Sequence, residues 1–209
     1  MREKLVGFAA REGWLNYDDE WPLERKNTFL LKQDVTKPLS VHTRVWHLAL
    51  DENSGINQPN RPGWRQNTWA QLSQLEQYLH THSQRIPGNY WVIAITQFLD
   101  EATSEEIGID VLPVEPNRID AEWEFLGYDV AEMVFLSSLM NMGYSDSEKN
   151  FAQQRFGSGL NEYHLFLAQE EAMAFATWSN GRDPGHGPFY VYGLYRIKNA
   201  EGEQPKQAL

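Results

Sequence analysis

The chain has 209 residues, eight tryptophans, no cysteine and a formal net charge of −11. A chain of this length can withdraw about 70% of its surface from water, enough for one sizeable core. The composition excludes disulfides, thiolate metal sites and a disordered chain. So large an acidic surplus is repelled by nucleic-acid phosphates unless a basic stripe offsets it, and the sequence holds no such stripe.

Residues 5–10 form an apolar run closed by Arg11 and Glu12. That is too short, and meets an acid too soon, for a signal peptide. Nor is there a run of about 18 apolar residues to span a bilayer. The expected location is the cytoplasm, with no membrane contact. Residues 18–22 read as a loop and 28–32 as a short strand. Residues 39–50 read as a central strand, with Val41, Val45 and Ala49 on one face and Trp46, Leu48 and Leu50 on the other. Residues 51–55 are a turn cluster, and 57–64, with Pro59, Pro62 and Gly63, a loop.

Asn67 is placed to cap a helix over 68–83, whose apolar stripe is Trp69, Leu72, Leu75, Leu79 and Ser83. Residues 90–96 are β-branched and aromatic and read as a buried strand. Residues 109–114 suit a short edge strand, where Pro113 is tolerated. Residues 122–128 alternate and read as a strand. Asp129 then reads as the cap of a helix over 130–142, apolar nearly all round and stopped by Gly143.

Ser145 followed by Glu148 is a capping box for a helix over 146–156, ended by Gly157-Ser158-Gly159. Residues 163–167 read as a strand, 169–179 as a helix stopped by Asn180-Gly181, and 182–188 as a glycine- and proline-rich loop. Residues 189–197 read as the last strand, and 199–209 as a polar flexible tail. This order contains no regular βαβ run. It predicts a single α+β domain over 1–198, with a mostly antiparallel sheet flanked by about four helices.

The motifs exclude more than they assign. His80 and His82 fall on different sides of a helix, and His42 and His47 on opposite faces of a strand. No zinc or calcium signature occurs, and no metal or cofactor is expected. There is no nucleophile elbow: Gly157-Ser158-Gly159 reads as a helix-ending loop. No phosphate-binding glycine loop is present.

Two clusters remain. His186 sits between Gly185 and Gly187, close in sequence to Arg182 and Asp183. With Glu170 or His164 these could form the site of an enzyme of unrecognised family, although a structural connection explains them as well. The second cluster is the block over 100–124, whose nine acids face only Arg118, for a net −8 (one minus nine). Asp110, Glu115, Asp120, Glu122 and Glu124 are the candidate partner contacts, with Trp123 as an aromatic anchor.

The leading expectation is an immunity-type inhibitor or antitoxin of bacterial kind. It would bind a basic protein toxin, a nuclease in the first instance, and occlude its active site. A structural or assembly protein, using tryptophans in 14–21 or 57–69, is a third reading. The sequence leaves the oligomeric state open.

Overall fold

Arg2–Glu12 forms strand β1, an element absent from the sequence expectation. Leu5, Val6, Phe8, Ala9 and Ala10 are all buried, so both faces of the strand are covered. A strand covered on both faces loses the alternation that marks a half-exposed one, and its glycine and alanines carry little strand propensity. The structure is a computed structural model, and it describes residues 2–12, 69–81, 90–99, 114–132, 144–182 and 187–198. The expected strands over 28–32 and 39–50, and nearly all of that over 109–114, lie outside these residues.

β1 pairs antiparallel with β2 (Tyr90–Leu99), from Arg2 opposite Leu99 to Glu12 opposite Tyr90, with an irregularity between Leu5 and Gly7. β2 runs three residues past the expected end at Thr96. The remaining strands are β3 (Glu124–Glu132) and β4 (Phe189–Arg196). The helices are α1 (Leu72–Thr81), α2 (Asp146–Phe156) and α3 (Gln169–Asn180). Together they make a single α+β domain on a four-stranded antiparallel sheet of order β1-β2-β4-β3.

Within it the described residues gather into two compact units. One holds β1, α1, β2, the 114–124 segment and the end of β4 from Tyr195. The other holds β3 from Phe125, α2, α3 and β4 up to Leu194.

In the first unit, Leu5, Phe8, Leu75, Leu79, Val92, Ala94 and Ile197 share one apolar cluster, with Trp69, Leu72 and Trp123 packed against it. Helix α1 starts at Leu72 rather than at 68, because the residues before it pair with other segments. The Phe8 N–H donates to the Trp69 carbonyl at 2.9 Å and the Trp69 N–H returns the bond at 2.7 Å. The Glu115 N–H donates to the Ala70 carbonyl at 2.8 Å. Backbone committed in this way cannot join a helix ladder. Asn67 and Ser83, the expected cap and end of the stripe, lie outside the described residues.

The second unit corrects two expectations. Asp129, read as a helix cap, is fully buried in the middle of β3, and Val130 and Ala131 continue the strand beyond it. The helix expected over 130–142 therefore does not begin at 130, and residues 133–142 lie outside the described set. Three helices stand among the described residues.

Residues 163–167 are not a strand either. Only Phe166 pairs, through single bridges to Tyr128 and to Leu160. His164 takes a positive φ of 60°, which turns the chain. Asn161 closes the turn. Its Oδ1 accepts the N–H groups of Tyr163 at 2.9 Å and Leu165 at 3.1 Å, and its Nδ2 donates to the Leu126 carbonyl at 2.6 Å. Leu165 and Phe166 are thereby buried against Gly127, whose φ of 139° and missing side chain admit the loop.

The expected capping box is present at α2. The Glu148 N–H donates to Ser145 Oγ at 3.4 Å and the Ser145 N–H donates to Glu148 Oε2 at 2.9 Å. Helix α3 ends next to Gly181 as expected. Asn180 ties that end to β4: Nδ2 donates to the Phe189 carbonyl at 3.0 Å and Oδ1 accepts the Phe189 N–H at 2.6 Å. Ring contacts join the two helices, with Phe156 edge-on to Phe175 at 5.2 Å and Tyr144 stacked on Trp178 at 5.2 Å.

Candidate functional site

The described part of the acidic block runs from Val114 to Glu124 and is held at both ends. At its start, Glu115 bridges Gln71 through the backbone, and the Leu72 N–H donates to the Glu115 carbonyl at 3.1 Å. Toward its end, Asp120 forms a tight turn. Its Oδ1 accepts the Glu122 N–H at 3.0 Å and its carbonyl accepts the Trp123 N–H at 3.1 Å. Such a turn is a standard use of aspartate. The start of the segment is thus fixed to the residues that open α1, and its end carries a fixed turn.

The candidate contacts separate by environment. Glu115, Asp120 and Glu122 are exposed, as is the cation Arg118 among them. Glu124 is different: Lys198 Nζ lies 3.5 Å and Arg196 Nη1 3.8 Å from its Oε2, so its charge is already matched. Trp123 is half-buried, its ring edge-on to Phe8 at 5.9 Å, so part of the indole belongs to the core. Asp110 lies outside the described residues.

These surroundings give each group a different capacity. Three exposed carboxylates can pair with lysine or arginine of a partner at little desolvation cost. Glu124 offers a carboxylate whose charge two cations already offset through Oε2. An indole fixed by Phe8 can offer its remaining surface without loss of side-chain freedom.

Three polar features escaped the sequence reading. Glu3 Oε1 accepts the hydroxyls of Thr96 at 2.6 Å and Tyr195 at 2.9 Å, which ties three strands to one carboxylate. The Arg196 guanidinium lies over the Trp91 ring at 3.9 Å. Gln97 is fully buried on β2, and neither amide atom has a hydrogen-bond partner among the described residues. The first two join residues distant in sequence, which no local spacing marks. Arg196 and Lys198, two apart at the end of a strand, were the one available hint of a basic edge.

For the enzyme alternative, His186 and Asp183 lie outside the described residues. Arg182 is exposed just past α3, its N–H donating to the Ser179 carbonyl at 3.0 Å. Glu170 is exposed in the first turn of the same helix. The length of α3 thus separates them by roughly 18 Å at ~1.5 Å per residue. His164 is buried in the loop closed by Asn161. The structure does not bring Arg182 and Glu170 together.

Among the described residues, no three histidines, aspartates or glutamates are placed to share a metal ion, and no helix is long and apolar enough to cross a membrane. Comparison with family models, curated proteins and solved structures gives no match for this chain.

Proposed function

We propose that the chain is an acidic cytoplasmic binding protein, an immunity-type inhibitor that neutralises a basic toxin by covering its active site. A nuclease is the partner class that fits best, because a groove built for phosphates is cationic and receives carboxylates well. The observation that carries this reading is the exposure of Glu115, Asp120 and Glu122 along one anchored connection, followed by the fixed, half-buried Trp123. The overall charge of −11 adds long-range attraction that speeds encounter. Binding itself would occlude the partner; no chemistry by the chain is required.

The test is to identify the genes beside this one and to titrate a cationic nuclease domain encoded there against the wild type and the E115Q/D120N/E122Q variant; neighbours that encode no cationic protein would remove the reading. Exposed ion pairs contribute about 0.2–1 kcal/mol each, so the triple change should weaken binding roughly 3- to 150-fold. The loss should fall mainly on the association rate and shrink as salt rises. Equal affinity and equal salt dependence for the two proteins would remove this segment from the interface. No inhibition of the nuclease by the wild type would remove the function.

A further inference from the structure

We draw no further inference here: the strongest candidate, the half-exposed Phe151 of α2 stacked on Trp178 of α3, is an apolar face for which nothing among the described residues shows what covers it.

Discussion

Replacing Asn161 with alanine removes three side-chain hydrogen bonds at once, those with Leu126, Tyr163 and Leu165. A net contribution of about 1 kcal/mol per bond gives a loss near 3 kcal/mol. Leu126 and Leu165 are buried, so their stranded carbonyl and N–H add to it. A destabilisation of about 3–4 kcal/mol follows. With a urea m-value of about 2 kcal/mol/M, the unfolding midpoint should fall by roughly 1.5–2 M at unchanged slope. Asn161→Asp keeps both acceptor bonds but loses the donor to Leu126, and should fall between wild type and alanine. Asn150→Ala, at an exposed position of α2, serves as the control and should stay within about 0.5 kcal/mol. If Asn161→Ala shifts the midpoint no more than Asn150→Ala, this side chain does not hold the loop.

Gly127→Ala should destabilise by about 2–4 kcal/mol in the same assay, from overpacking and from the strained backbone. The added Cβ would stand 2.6 Å from Leu165 Cβ and 3.0 Å from the Phe166 carbonyl, whereas at Gly181 its nearest neighbour is 3.6 Å away and alanine should be tolerated. The hydrogen bonds from Ser145 hold the Glu148 carboxyl below its ordinary value of 4.5. A carboxyl lowered in the folded state stabilises above its unfolded pKa, and that contribution is lost as pH falls through the folded value. The stability gap between wild type and E148Q should therefore be present at pH 7 and close below about pH 4.5; denaturant titrations showing a gap independent of pH would contradict this. Gln97→Met removes a buried amide with no partner among the described residues and conserves volume, so it should stabilise by about 1–2 kcal/mol. Calorimetry showing a lower midpoint would mean that the amide is bonded.

The elements that could be read from sequence were those whose cause is local. The α2 capping box lies within four residues, and both its bonds are made. The β-branched run in β2 needed no knowledge of its neighbours. Elsewhere a distant segment overruled the local signal. Asp129 has every property of a helix cap except its surroundings, where strand pairing takes its backbone and the core takes its side chain. Residues 163–167 carry a strand composition, yet Asn161 folds them into a turn through bonds to its own loop and to Leu126. Of the candidate contacts, exposure followed from charge at Glu115, Asp120 and Glu122. The pairing of Glu124 did not, because Arg196 and Lys198 are contributed from beyond position 190.

Among the described strands the order puts β1 and β3 on the flanks, and each has its mid-strand peptide claimed from outside, Phe8 by Trp69 and Tyr128 by Phe166. A foreign strand zipping onto either flank would have to evict a large, anchored aromatic residue before it formed a second rung. That barrier works against copies of this chain fusing sheet to sheet at high concentration. Main-chain pairing accepts almost any extended peptide, so claiming these mid-strand peptides from outside closes the least selective route to association.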